Sequence, residues 1–344
     1  MRRLIVHVGP HKTGTTSIQR ALFFAAKDLL KLGIYYPTEW VSPENKWSHY
    51  ALFEQLRSKK FDLVENTAAR VLKSNANTIV ISAEDLSLLS IEELNVMSRA
   101  FRSVEPDLNI SIVFYVRRWS GIIPSIVQEL IKHGISSTLS DIVAQEFLSP
   151  ERSDIINYVN RLDRFSTVFG TDSIGIIAFD NIVESKQNLV DHFFKNVLSC
   201  ARTKSDTYDI ETQYNISLSI IEVEFLRVHN CLVKIGSIRK FTGNADEYLH
   251  RLRASNFQEL ADVLKGSVRE FEFDEAALPF RVLYDSLHAK YSRRFLNPVG
   301  SSINDPLFHR VRRNIEYIHP NYLCDIDILN SMIIINQKIN NRVA

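Results

Sequence analysis

Gly9-Pro10-His11-Lys12-Thr13-Gly14-Thr15-Thr16 is the stretch on which the fold turns. A short apolar run precedes it, Leu4-Ile5-Val6-His7-Val8, and ends at a glycine, which predicts a buried strand. Residues 17–32 follow with apolar side chains at helical spacing (Ile18, Ala21, Leu22, Ala25, Leu29, Leu32) and stop at Gly33, a good C-cap residue. Strand, small-residue loop and helix thus come in that order. The N–H groups of such a loop can turn inward onto an anion. The helix N-terminus adds its own exposed N–H groups and the positive end of its dipole. Lys12 contributes a point charge, and the threonine hydroxyls contribute donors.

Outward from the loop, strand and helix patterns alternate. Residues 34–36, 78–82, 110–116 and 173–179 read as further strands, and 91–102 as a helix. A long helical stretch follows the 110–116 strand and breaks near Gly134 and Pro150. Apolar strands alternating with helices predict a parallel sheet covered by helices. From about residue 215 the pattern is mainly helical, over 220–232, 248–264 and 276–291. The expected architecture is α/β: a P-loop-type parallel sheet flanked by helices over 1–214, and a mainly helical C-terminal addition over 215–344 packed on it as part of the same domain.

Bulk properties narrow the partners. The chain has 344 residues, 45% hydrophobic and 24% charged, enough for a substantial core. A net charge of +1 gives no global field toward nucleic acid or an anionic membrane, so neither is an expected partner. Cys200, Cys231 and Cys324 are odd in number and widely spaced, which favours a reducing compartment. The N-terminal apolar run is too short for a signal peptide, and no stretch nears the roughly 20 apolar residues of a membrane span. A soluble, cytoplasmic protein is expected.

The loop departs from the Walker pattern G-x-x-x-x-G-K-[ST], in which lysine follows the second glycine. Here Thr15 follows Gly14, and the lysine comes before it. K-[TS]-G-T-T after a buried first strand resembles the 5′-phosphosulfate loop of sulfotransferases that use phosphoadenosine phosphosulfate (PAPS). The fuller string from His7 to Gln19, and Gly33-Ile34-Tyr35-Tyr36-Pro37 beyond it, is similar to the bacterial branch of that superfamily. The resemblance implies that Lys12, Thr13, Gly14, Thr15 and Thr16 contact the phosphosulfate, with His11 in the same loop.

That family also holds the donor's 3′-phosphate, with an arginine at a strand end and a serine eight residues later. Arg117 ends the 110–116 strand and Ser125 lies eight residues on. A planar guanidinium suits phosphate because it donates two parallel charge-assisted bonds. Arg118 competes for the role. The family's late R-K-G element has a loose echo in Arg239-Lys240-Phe241-Thr242-Gly243.

Transfer of a sulfuryl group to a hydroxyl needs a base for the acceptor's proton. It also needs positive charge for the leaving phosphate oxygen, a task that falls to Lys12. Glu84 follows the 78–82 strand, and a residue just past the end of a parallel strand faces the ligand crevice. In the family the base is a Glu or a His near this place, so Glu84 is the favoured base, with His11 and His49 as alternatives. Glu84 could equally start a helix, and His49 could be a capping histidine. His7 and His11 lie on a strand and a loop rather than one helix face, so no metal site is expected. The expected partners are the nucleotide donor and a hydroxyl acceptor, such as a glycan, a lipid-linked sugar or a small metabolite. A nucleotide kinase or NTPase, or an inactive nucleotide-binding module, is the alternative.

Overall fold

The structure, a computed structural model, describes residues 1–41, 47–201, 218–255, 257–274, 278–296 and 312–341. Five strands form one sheet: β1 (Arg3–His7), β2 (Ile34–Tyr35), β3 (Thr78–Ser82), β4 (Asn109–Val116) and β5 (Ile174–Ala178). Their order is β2-β3-β1-β4-β5, and every pairing is parallel. Leu4, Ile5 and Val6 of β1 and Ile79, Val80 and Ile81 of β3 are wholly buried. Strands covered on both faces read as continuous apolar runs, so these were visible in the sequence.

The chain winds from β1 outward to β2 and β3, then returns to place β4 on the other side of β1. The winding direction therefore reverses beside β1. In open parallel sheets that reversal opens a crevice at the C-terminal strand ends. One face of β1 packs on the first helix, Thr15–Phe24, where Ile5 meets Ile18, Ala21 and Leu22 in a core shared with Tyr115, Phe193 and Phe194. The expected single helix over 17–32 is two, Thr15–Phe24 and Ala26–Lys31, separated at Ala25. The apolar stripe continues across the break, so spacing alone does not reveal it. Gly33 ends the second helix at φ 76°, left-handed backbone that favours glycine.

The chain divides into two compact units that interleave along it. The first comprises Met1–Trp119, Pro150–Thr212 and Leu278–His309, and holds the parallel sheet. The second comprises Ser120–Ser149, Gln213–Ala277 and Arg310–Ala344. The single boundary expected at 214/215 lies outside the described residues.

The second unit is mainly helical, with Leu139–Leu148, Ile220–Lys234, Ala245–Arg253, Phe257–Lys265 and Ile326–Asn341. The expected helix 248–264 is two helices, and the expected start at 276 of a third lies outside the described residues. The C-terminal region also contains an antiparallel pair, β6 (Val268–Asp274) with β7 (Arg312–Ile318), which the helical expectation missed. Among the described residues no helix is long and apolar enough to cross a membrane.

Candidate functional site

β3, β1 and β4 are neighbours, with His7 aligned to Ser82 on one side and to Val113 on the other. Three adjacent C-terminal strand ends therefore carry the loop 9–16, Glu84 and Arg117. The sheet brings together, within the first unit, residues that lie far apart in sequence.

The loop delivers a helix start with no competing cap. Gly14 is the N-cap at φ 75°, no side chain caps the helix, and its first turn has no acidic residue. The first N–H groups of a helix have no intrahelical acceptor, so this end is electropositive. Lys12 is also left-handed, at φ 68°, which is uncommon away from glycine. Arg117 supports that conformation: its Nη1 donates to the Lys12 carbonyl at 2.7 Å. Thr13 Oγ1 donates to the Pro10 carbonyl at 2.8 Å and closes the loop from inside. A methyl at Gly9 would fit tightly, 3.1 Å from Thr13 Oγ1 and 3.2 Å from His7 Nε2.

Glu84 opens a 3₁₀ turn, Glu84–Leu88, directly after β3. Gln19 of the first helix donates to its Oε2 at 2.6 Å. His11 lies between two carboxylates, with Nδ1 3.6 Å from Glu84 Oε1 and Nε2 3.4 Å from Asp85 Oδ1. Burial alone would raise the Glu84 carboxyl, but His11 and the Gln19 amide outweigh it and hold Glu84 at about 2. Burial would lower His11, yet the bonds to Asp85 and Glu84 win and lift it to about 9. At neutral pH the site therefore holds an imidazolium in the loop beside an ionised carboxylate.

No family model, curated protein or solved structure matches the chain.

The site thus stands on its own geometry. Lys12, Thr13, Gly14, Thr15 and Thr16 form the loop and the start of the helix; Thr13 is wholly buried and Thr15 nearly so. Arg117 stacks over the Phe179 ring at 5.2 Å besides bracing Lys12. Arg118 is occupied elsewhere, in a bidentate pair with Glu184, and its backbone N–H donates to Asp180. Ser125 lies on helix Trp119–Lys132, in the second unit, and its Oγ donates to the Gly121 carbonyl at 3.0 Å. Its pairing with Arg117 stays an inference from spacing. Arg239 and Lys240 are exposed in the second unit, where Phe241 between them and Gly243 is buried against Tyr248.

His49, an alternative base in the sequence, has both ring nitrogens engaged by backbone. It is wholly buried; the Ser82 N–H donates to its Nδ1 at 2.9 Å, and its Nε2 lies 2.7 Å from the Pro37 carbonyl. A backbone N–H can only donate and a carbonyl can only accept. Nε2 therefore carries the proton, and both ring nitrogens are used. Burial lowers the ring's pKa to about 4, with the two backbone bonds opposing. His49 clamps the end of β3 from which Glu84 emerges, and it has no lone pair for an acceptor's proton. His49→Ala should leave the Ser82 N–H and the Pro37 carbonyl buried without partners. A loss of roughly 2–4 kcal/mol in denaturant unfolding is expected; unchanged stability would contradict the clamp.

Two contributors were missed. Gln19 is a polar residue on the buried face of the first helix, and His7 is a polar residue ending an apolar strand. His7 Nδ1 lies 2.8 Å from Ser82 Oγ, so it ties the end of β1 to the end of β3. Polarity at positions whose periodicity says "core" was the available signal.

Proposed function

We propose that the chain is a PAPS-dependent sulfotransferase of the P-loop type, acting on an acceptor hydroxyl. The observation that supports this most is the joint placement of the uncapped loop–helix start, Glu84 and Arg117 at three adjacent strand ends. Lys12, the loop N–H groups and the His11 imidazolium supply positive charge where a 5′-phosphosulfate would lie. In an in-line displacement, that charge stabilises the leaving phosphate oxygen. Glu84, ionised and oriented by Gln19, accepts the proton of the attacking hydroxyl. The tie from Arg117 to the Lys12 carbonyl sets a phosphate-binding side chain beside the loop. Three widely spaced cysteines and a near-neutral charge fit a cytoplasmic setting.

Incubation with PAPS carrying labelled sulfur and a fractionated extract tests the proposal. Label should move to an acceptor, with EDTA present or absent. Turnover of ATP that needs Mg²⁺, with no transfer of label, would instead make the chain an NTPase.

The His11–Glu84 pair also fixes a pH dependence. His11 is raised when folded, so its contribution to stability is full below about 6.5 and is lost as pH rises through about 9. Glu84 is lowered, so its contribution is full above about 4.5 and is lost as pH falls through about 2. Denaturant midpoints should therefore decline between about pH 6.5 and 9, and Glu84→Gln should flatten that limb. An identical decline in the variant would mean the pair is not coupled to folding.

A further inference from the structure

The second unit contains a cavity of about 470 Å³, within the range of small-molecule sites. Helix Trp119–Lys132 contributes Val127, Gln128 and Ile131 to its lining, and helix Ile220–Lys234 contributes Ile220 and Val223. The start of helix Leu139–Leu148 and the end of β7, with Ile318, supply the remaining sides. Val127, Ile131, Leu139, Ile220, Val223 and Ile318 form an aliphatic part of the wall. That surface gains by excluding water when a hydrocarbon body fills it.

The polar groups divide into two sets. The first is a buried pair, Glu224 with Arg227, whose side chains are 10% and 8% exposed. Arg227 donates from Nε to Glu224 Oε2 at 2.7 Å, from Nη2 to Oε1 at 2.6 Å, and from Nη1 to the Ser136 carbonyl at 3.0 Å. Tyr322 adds its hydroxyl to Glu224 Oε1. The two charges cancel, and the bidentate geometry offsets the cost of burying them. This pair therefore presents no net charge to a ligand.

The second set is Asp141 and Glu316, both exposed. Asp141 accepts from the Thr138 N–H and hydroxyl and remains a carboxylate, with those bonds holding its pKa low. Arg227 is the only Lys or Arg among the described lining residues, and it is spent on Glu224. His319 is the remaining basic group, and its Nδ1 accepts from the Asn321 N–H at 3.3 Å. The exposed rim is thus acidic, around a hydrocarbon wall.

We propose that this cavity binds a compact aliphatic amine in its cationic form. The hydrocarbon cage packs on Val127, Ile131, Val223 and Ile318, and the ammonium lies at the rim beside Asp141 and Glu316. Nothing in this depends on the donor site.

A matched pair of probes tests it on the full chain: adamantylammonium and adamantanecarboxylate, one hydrocarbon cage with opposite charges. Titration followed by calorimetry and methyl NMR should show the ammonium binding about tenfold or more tighter, given two carboxylates at the rim. The preference should shrink with salt. Methyl shifts should be confined to the residues of the cavity wall. Val127→Trp, which fills the cavity, should abolish binding. Val223→Phe, at a half-buried position, gives the same test if the first variant fails to fold. Glu316→Gln should narrow the preference. Equal binding of the two probes, binding that survives both filling variants, shifts centred elsewhere, or no binding of either probe would each overturn the proposal.

Discussion

Glu84→Gln should lower kcat for sulfuryl transfer by roughly a hundredfold or more, the usual scale for loss of a general base. Gln keeps the size of the side chain and can still meet Gln19, but it cannot take a proton. His49 has both ring nitrogens bound to backbone, and His11 is held cationic up to about pH 9. Neither offers a lone pair at neutral pH. With its pKa held near 2, Glu84 is a weak base. On the proposed function it would take the proton only as the S–O bond forms and the hydroxyl becomes acidic, so kcat should not fall with mild acid. Asp85→Asn serves as the control, since Asp85 shares His11 but is not bonded to Gln19. A similar loss in Asp85→Asn and none in Glu84→Gln would move the base by one residue.

Lys12→Ala should be the more damaging change in kcat/KM, because it acts on both binding and chemistry. Lys12 stands in the loop beside an uncapped helix start, where a phosphosulfate would meet it in the ground state. Its charge matters more as the leaving oxygen becomes negative. Removing one such donor from a preorganised site costs on the order of 10²–10³ in kcat, with weaker donor binding in addition. Equilibrium binding and single-turnover rates separate the two parts. Lys12 also has left-handed backbone, so the folded stability of the variant must be measured alongside. A variant with normal kcat and only weaker binding would reduce Lys12 to a tether.

The parallel sheet was legible because its strands are buried on both faces. TIVIS and ISIVFYV are apolar runs that need no partner to be recognised. The loop was legible because its glycine, lysine and threonines are local in sequence. The β6–β7 pair shows the opposite case. Within Val268–Asp274 only Glu270-Phe271-Glu272-Phe273-Asp274 alternates, its partner lies more than thirty residues away, and a short charge-rich run amid helices is easily passed over. The interleaving of the two units is likewise non-local, because the chain leaves the first at Trp119 inside a continuous helix.

Within the site, which residues sit at strand ends was readable, but what their side chains bond to was not. No spacing rule gives Gln19 to Glu84, Arg117 to the Lys12 carbonyl, or both nitrogens of His49 to the backbone. Each of these bonds joins elements that meet only once the sheet has formed. Spacing favoured Arg117 over Arg118, and only the structure shows that Glu184 engages Arg118 in a bidentate pair.

On the proposed function, the loop and Arg117 form a donor site selective for a nucleotide with a 3′-phosphate. Thermal unfolding with adenosine 3′,5′-bisphosphate, ADP or ATP at equal concentration tests it most directly. A ligand that binds only the folded chain stabilises it by about 2.7 kcal/mol at a concentration of a hundred times its Kd. The bisphosphate should raise the midpoint by several degrees, ADP and ATP should raise it much less, and Arg117→Met should erase the difference. Equal shifts from ADP and the bisphosphate, or no shift from either, would contradict the account.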